Sequence, residues 1–192
     1  MPPPLETAMG HTRMESRQSG RQGKMASGSG PNFLLVEDDR MDATIFQRAA
    51  SKVGLTCPVH VAQNGRRALD SLRRRVPGGT IDGPVLIILD LNMPLMDGFE
   101  FLQELRADPD LRDHVVFVLT TSRDPADVQR AYGFNVAGYL TKSSSYEAFV
   151  EKVDLLSRYA GLVDLPQEAA RARYPAGPAW HAPEDSGPGA GF

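Results

Sequence analysis

The chain has 192 residues, a formal net charge of −3 and a single cysteine, Cys57. None of its apolar runs is long enough to span a bilayer, and one cysteine cannot form an internal disulfide. The composition argues against a membrane-spanning protein and a disulfide-bonded scaffold. It favours a soluble protein of a reducing compartment, which we take to be the cytoplasm.

The two ends of the chain differ in composition from its middle. Residues 1–31 are rich in Pro, Gly, Ser, Arg and Gln and contain no apolar stretch, so we expect a disordered leader and not a secretory signal. The weak positive charge of this leader is too small to indicate nucleic-acid binding. Residues 166–192 are rich in Pro and Ala and are expected to form a disordered tail. This leaves 32–165 as the one folded domain.

Five short apolar runs predict the strands of a sheet. They cover residues 32–36, 58–61, 85–89, 114–119 and 138–141. The run at 85–89 is apolar throughout and is bounded by Pro and Gly on both sides. This pattern is typical of a strand that is buried on both faces, as in a parallel sheet covered by helices.

Segments with helical spacing of apolar residues alternate with these strands. The predicted helices cover 42–52, 66–76 and 98–106, then one that begins at Asp124-Pro125 and a last one along 146–156. We expect the second helix to bury Val76 and the last to bury Tyr146. Because parallel strands need helical crossovers, the alternation predicts an α/β three-layer sandwich with a five-stranded parallel sheet and five helices.

Acidic residues follow two of the predicted strands. Glu37 and Asp38 come directly after the first strand, and Asp90 ends the third. If these strands are parallel neighbours, the three carboxylates converge at one edge of the sheet, where ligands of such sheets bind. Clustered carboxylates need a cation, and Mg²⁺ is the natural one. The alternative for any one of them is a solvated loop carboxylate.

Complementary groups follow the last two strands. Thr120 comes after the fourth apolar run and Lys142 after the fifth. A hydroxyl and an ammonium beside clustered carboxylates would suit a transferred phosphoryl group, whose charge is stabilised by metal, lysine and hydrogen-bond donors. Taken singly, Thr120 is equally typical of a strand-end turn and Lys142 of a solvated surface.

These motifs, in this order, resemble a response-regulator receiver domain of the CheY-like kind, over residues 32–165. The matching segments are Val36-Glu37-Asp38-Asp39, Leu89-Asp90-Leu91-Asn92-Met93-Pro94-Leu95-Met96-Asp97-Gly98, Leu119-Thr120-Thr121-Ser122 and Gly138-Tyr139-Leu140-Thr141-Lys142. The resemblance implies a flavodoxin-like strand order. Several of the motifs also look similar to those of the small regulators paired with phytochrome-type kinases.

The resemblance also implies a role for each site residue. Asp90 would accept phosphate from a histidine kinase. The carboxylates of Asp38 and Glu37, with Asp90 and the backbone carbonyl of Asn92, would hold Mg²⁺. Lys142 would pair with the phosphoryl group. Thr120 and Tyr139 would form a switch made of a hydroxyl group and an aromatic ring.

One position departs from the family pattern. Receivers usually have proline after the lysine, whereas this chain has Ser143. A cis peptide bond there is not expected, since a cis bond before a residue other than proline costs roughly 2.5–4 kcal/mol. Ser144 and Glu147 offer a capping box that would start the last helix. Serines 143–145 are alternatively a flexible linker.

The expected function is that of a single-domain response regulator in a two-component phosphorelay. Fewer than thirty residues follow the receiver, too few for a helix-turn-helix output domain, so we expect signalling by protein contact without nucleic acid or membrane. The expected partner is a sensor histidine kinase, phytochrome-type by analogy. The resemblance also suggests a homodimer through the fourth and fifth helices and the last strand. Catalysis is expected only for its own Mg²⁺-dependent phosphorylation and dephosphorylation.

Three other functions are open to such a chain. A degenerate receiver would act as a constitutive interaction module without phosphorylation. An aspartate-based phosphatase or phosphotransferase usually needs a second acid two residues after the nucleophile, and that position holds Asn92. A nucleotide-binding protein would need a glycine-rich loop after the first strand, where this chain has the acids 37–39.

Overall fold

The computed structural model describes residues 31–73, 81 and 83–166. Its elements, in chain order, are β1 (Asn32–Val36), α1 (Arg40–Lys52), β2 (Val59–Ala62), α2 (Gly65–Leu72), β3 (Val85–Leu89), α3 (Gly98–Ala107), β4 (Val115–Thr120), α4 (Pro125–Gly133), β5 (Gly138–Thr141) and α5 (Tyr146–Leu162). The expected tail, apart from Pro166, lies outside the described residues. So does the leader, apart from Pro31.

The five strands form one parallel sheet in the order β2-β1-β3-β4-β5. β1 lies between β2 and β3, in a register that pairs Val36 with Ala62 on one side and with Leu89 on the other. The predicted α/β sandwich with a flavodoxin-like strand order is therefore confirmed. Because the strands are parallel, the residues that follow Val36 and Leu89 emerge at the same edge, which we call the carboxyl edge.

The sheet has an apolar core on each of its faces. Leu86 and Ile88 of β3 pack with α1 and α5, whereas Ile87 and Leu89 pack with α2, α3 and Ala131 of α4. Successive side chains of a strand point to opposite faces, so a strand covered on both sides must be apolar at every position. All five residues of β3 are buried. The prediction that residues 85–89 form a strand buried on both faces is confirmed. No helix in the described part of the chain has both the length and the apolar character to cross a membrane.

Most element boundaries agree with the prediction within one or two residues, and the differences have local causes. β2 begins at Val59, not 58, and β4 begins at Val115, not 114. Pro58 has no amide hydrogen for a ladder, and the amide of His114 donates to Leu111 O at 3.1 Å in the preceding turn. α1 begins at Arg40 and not at 42 because the carboxylate of Asp39 caps it.

The second helix is shorter than predicted. α2 starts at Gly65, one residue early, where Asn64 caps it through the amide of Arg67, and it ends at Leu72. Arg73 is its C-cap, and the amide of Arg73 donates to the carbonyl oxygens of Leu69 and Ser71. Val76, which we expected on the buried face, lies outside the described residues.

The last helix begins at Tyr146 as predicted, but its cap differs from the prediction and it continues past 156 to Leu162. Ser145, not Ser144, caps α5, and its hydroxyl accepts a hydrogen bond from the amide of Ala148. Because a capping side chain reaches the third residue of its helix, the shift of one residue removes Glu147 from the position that a capping box requires. Tyr146 is exposed, contrary to the prediction, because it is the first residue of the helix and lies beside Lys52.

Candidate functional site

The three predicted acids meet at the carboxyl edge. Glu37 and Asp38 follow β1, and Asp90 follows its neighbour β3. One carboxylate oxygen from each lies within 4.8 Å of the other two. Glu37 and Asp90 are buried, and Asp38 is half-buried. We call these three residues the acidic cluster.

The acidic cluster concentrates negative charge in a place with little water. Burial raises the pKa of Glu37 from 4.5 to about 7, although hydrogen bonding to Lys142 and the amide of Asp39 counteract it. A carboxylate whose charged form is this poorly solvated is stabilised by an additional cation. The oxygen-only donor set and its close spacing fit a divalent cation such as Mg²⁺, which would be held by these three side chains with water completing its shell.

Lys142 lies at the centre of the site. Its Nζ atom is 2.7 Å from a carboxylate oxygen of each of Asp90, Glu37 and Asp42. Burial by itself lowers the pKa of the ammonium group, but these hydrogen bonds outweigh it and raise the pKa above its ordinary value. Lys142 therefore remains charged. Its backbone is also fixed, since its amide donates to Thr120 O at 2.6 Å.

Asp42 is a site residue that the sequence analysis missed. It lies in the first turn of α1, four residues after Asp38. A helix that starts directly after an acidic strand end places its first turn over that edge, so this spacing was a usable signal. What the sequence alone does not reveal is that the side chain of Lys142 reaches across to α1.

The loop after β3 packs tightly around Asp90. The amide of Asn92 donates to Asp90 Oδ1 at 3.3 Å, so Asn92 lies against the acid as expected. The role of its carbonyl as a metal ligand stays a prediction. A Cβ atom added to Gly98, the first residue of α3, would lie 2.6 Å from the backbone oxygen of Asp90. Only glycine allows the helix to begin this close to the site.

The two predicted switch residues meet at Ser122. Thr120 is fully buried, and its Oγ1 accepts from the amide of Ser122 at 3.4 Å. The Tyr139 hydroxyl donates to the carbonyl oxygen of Ser122 at 3.2 Å, and burial raises its pKa. The Ser122 hydroxyl donates to Asp127 of α4 at 2.6 Å. Ser122 thus links Thr120 and Tyr139 to α4, a role that the sequence analysis did not assign.

The residue after Lys142 has a partner of its own. The Ser143 hydroxyl accepts a hydrogen bond from Lys152 of α5, which ties the β5–α5 loop to that helix. No peptide bond among the described residues is cis. The loop is therefore held by side-chain contacts at the position where receivers usually have proline.

The fold and the carboxyl edge together define the class of this protein. A family model described as the response regulator receiver domain matches residues 33–154. The chain belongs to this family, because the match covers more than half of it and includes the acidic cluster and Lys142. It is a response regulator of the two-component type.

Individual relatives place it more narrowly within the family. Response regulator Rcp1 of Synechocystis sp. is 35% identical over 135 residues, which cover 70% of this chain and 92% of Rcp1. The probable methanogenesis regulatory protein FilR2 of Methanothrix harundinacea is 37% identical over 127 residues, which cover 66% of this chain and 81% of FilR2.

Two solved structures agree with these relatives. The Mn²⁺-bound form of Rcp1 superposes with a TM-score of 0.62 at 33% identity, over 70% of this chain and 97% of the other. The phosphorylated cyanobacterial phytochrome response regulator RcpA superposes with a TM-score of 0.65 at 31% identity, over 71% and 99%. The chain is thus similar to the small regulators of phytochromes.

Proposed function

We propose that Asp90 accepts a phosphoryl group from the phosphohistidine of a sensor histidine kinase. The observation that carries this proposal is the position of Asp90: its carboxylate is buried at a strand end, lies within the acidic cluster and is 2.7 Å from Lys142 Nζ. In-line transfer needs a rigid nucleophile and positive charge near the phosphoryl oxygens, and little other chemistry from the protein.

In the proposed transfer, a carboxylate oxygen of Asp90 forms a bond to phosphorus while the bond from phosphorus to the kinase imidazole breaks. Lys142 pairs with a phosphoryl oxygen and neutralises part of its charge. Because Asp90 follows a strand whose five residues are all buried, its backbone does not move to meet the donor. The protein needs no further catalytic activity than this reaction and the hydrolysis of its own acyl phosphate.

The proposed metal is Mg²⁺, held by Glu37, Asp38 and Asp90 with the carbonyl of Asn92. Three carboxylate oxygens within 4.8 Å support a divalent cation, and the relative Rcp1 has been solved with Mn²⁺. Mg²⁺ also prefers oxygen ligands, and it commonly binds phosphate at the same time. When bound, it would offset the charge of the attacking carboxylate and of the phosphoryl group.

The proposed switch starts at Thr120. A phosphoryl group on Asp90 offers new acceptors for the buried Thr120 hydroxyl, which now accepts from Ser122. A turn of Thr120 toward them changes the contact with Ser122, and with it the contacts to Tyr139 and Asp127. The output is a changed surface on α4, β5 and α5.

The partners proposed are a sensor histidine kinase of the phytochrome type and a second copy of this chain. The first rests on the similarity to RcpA. The second is supported by exposed apolar side chains on the helices that precede and follow β5, Tyr132 of α4 with Leu155 and Leu162 of α5. Neither nucleic acid nor membrane is needed for this function, which we place in the cytoplasm. A constitutive interaction module is not favoured, since the acidic cluster and Lys142 are assembled.

The test is phosphorylation by a small donor. The purified protein is incubated with Mg²⁺ and acetyl phosphate, and intact masses are compared for the wild type, Asp90→Asn and Asp70→Asn. Asp70 is a matched control, because it lies on α2 away from the carboxyl edge. We expect one phosphoryl adduct, removed by hydroxylamine, on the wild type and on Asp70→Asn only.

Two further observations accompany this test. Chelation of the metal with EDTA before the donor is added should prevent the adduct. An adduct of equal yield on Asp90→Asn would contradict the assignment of Asp90. Absence of an adduct together with failure to bind beryllofluoride would contradict the whole proposal and favour the interaction module.

A further inference from the structure

The Lys142 ammonium group has one partner that the acidic cluster does not include. An ammonium group has three hydrogens to donate, and the described structure gives Lys142 Nζ three acceptors, from Glu37, Asp90 and Asp42. Glu37 and Asp90 belong to the acidic cluster, whereas Asp42 does not. Among the described hydrogen bonds, the Asp42 side chain is therefore joined to the phosphotransfer site through Lys142.

Asp42 holds Lys142 from a rigid and separate element. Its helix, α1, is capped by Asp39 and packs on the sheet through Ala43 and Phe46. The Asp42 carboxylate reaches Lys142 over the same 2.7 Å as the cluster acids do, although its side chain is 38% exposed and theirs are buried. The contact is thus made between two groups whose backbones are fixed independently of any metal.

We propose that Asp42 is a positioning residue for phosphotransfer, which keeps the Lys142 ammonium group at the carboxyl edge while its other partners change. This inference rests on the proposed function. When a phosphoryl group is attached to Asp90, a new oxygen needs one of the three hydrogens of Lys142. Lys142 gives up a contact with Asp90 or Glu37 and keeps the contact with Asp42, so the ammonium group stays in place during the exchange.

Asp42 is the one carboxylate among the side chains that line a cavity of about 200 Å³ beside Lys142. Ile45 and Phe149 cannot accept a hydrogen bond, and two of the three serines that also line it, Ser143 and Ser145, already accept from Lys152 and from the amide of Ala148. If the carboxylate is removed, the ammonium group loses its acceptor on α1 and has this open space on one side. Lys142 is then free to move away from the site.

The contact itself is tested by NMR without metal or phosphoryl donor. An ammonium group held by three acceptors exchanges its hydrogens slowly and gives an observable ¹⁵N-coupled signal, which Lys142→Arg assigns by its loss. We expect this signal to broaden beyond detection in Asp42→Ala and to remain in Asp42→Asn, whose amide oxygen still accepts. Glu147→Gln is the matched control, because it removes a carboxylate from the first turn of α5.

The effect on phosphotransfer is tested by kinetics at saturating Mg²⁺ and acetyl phosphate. We expect Asp42→Ala to lower the limiting rate about tenfold, as loss of positioning does. Asp42→Asn should stay within about twofold of the wild type, because a neutral acceptor can also position the ammonium group. Glu147→Gln should equal the wild type.

Each outcome decides for or against the positioning role. Equal losses of rate in Asp42→Ala and Asp42→Asn would overturn it, because the charge and not the contact would then matter. An unchanged Lys142 signal in Asp42→Ala, or an unchanged rate, would also overturn it. If no variant or wild type is phosphorylated, the proposed function has failed, and the NMR comparison alone still reports whether Asp42 holds Lys142.

Discussion

Glu37 is the residue whose chemistry depends most on what else is bound at the carboxyl edge. It is buried, it hydrogen-bonds to Lys142, and its pKa is raised to about 7 by burial. Near neutral pH, a metal-free protein is thus a mixture of forms with and without a proton on this carboxyl group. Binding of a cation requires the form without the proton.

We predict that the affinity for Mg²⁺ rises with pH and levels off above about pH 7. Below the pKa of Glu37, binding of the metal displaces the proton of this carboxyl group, so the affinity increases by up to about tenfold for each unit of pH. Above this pKa no proton is displaced, and the affinity no longer changes with pH. Isothermal titration calorimetry from about pH 5.5 to about pH 8 measures this. Glu37→Gln should bind more weakly and with a flatter pH dependence; an equal slope in both proteins would contradict the role of Glu37.

Gly98 determines how closely α3 approaches Asp90. We predict that Gly98→Ala lowers the free energy of unfolding by about 1–3 kcal/mol, because the new Cβ would lie 2.6 Å from Asp90 O and 2.7 Å from Leu91 Cα, so the backbone must move. Urea unfolding measures the loss. Gly161→Ala is the control, since its Cβ meets nothing within 4 Å and an alanine in α5 favours the helix. Equal stability of the two variants would contradict this packing argument.

Among the helices, α4 has the fewest buried residues. Only Ala131 of its nine residues is buried, whereas five residues of α3 are buried. Elements with few buried apolar contacts open with a low free energy and are the ones that switches move. Its connection to the site runs through Ser122 and Asp127.

We predict that Ser122→Ala speeds hydrogen exchange of the α4 amides by about fivefold or more, since it removes two side-chain hydrogen bonds and each contributes about 1 kcal/mol. The variant keeps the backbone contacts of Ser122 to Thr120 and Tyr139 but loses the bond of its hydroxyl to Asp127 and the bond that the hydroxyl accepts from the amide of Asp124. Exchange measured by mass spectrometry, with and without beryllofluoride, should also show a smaller response of α4 to the ligand. Amides of α3 serve as the internal reference. If the α4 amides of Ser122→Ala exchange at the wild-type rate, Ser122 does not hold α4 in place.

The elements were predictable from sequence to very different degrees. β1, β3 and β5 were predicted to the residue, and β1 and β3 are apolar runs that follow a proline and end at an acid. The cap of α5 was assigned to Ser144 and is Ser145, since three consecutive serines offer the same chemistry and only the backbone decides among them. The contact of Asp42 with Lys142 joins residues 100 positions apart, and nothing local to either residue encodes it.

At the scale of the whole molecule, three of the exposed apolar side chains lie on the helices that precede and follow β5, the edge strand. Tyr132, Leu155 and Leu162 belong to the helices near the β5 edge, and β2 forms the opposite edge. An exposed apolar patch is typical of a surface that binds another protein. The proposed switch ends at the same helices, so phosphorylation and association are expected to be coupled.

We predict that beryllofluoride and Mg²⁺ shift the protein from monomer to dimer, and that Leu155→Lys weakens the dimer at least tenfold without changing phosphorylation, because it places a charge in an apolar contact. Sedimentation or size exclusion at several concentrations measures this. Val61→Lys is the matched control, since Val61 is an exposed apolar residue on the β2 edge. A dimer equally weakened by both substitutions, or one independent of beryllofluoride, would contradict the proposed surface.

The measurement that tests the central claim most directly is the position of the acyl phosphate. The protein is phosphorylated with acetyl phosphate and Mg²⁺, reduced with borohydride, which converts a phosphorylated aspartate to homoserine, and mapped by peptide mass spectrometry. We expect homoserine at position 90 and at no other acid of the carboxyl edge. Homoserine at Asp38 or Asp42, or at none of them, would contradict the assignment of Asp90 as the phosphoryl acceptor.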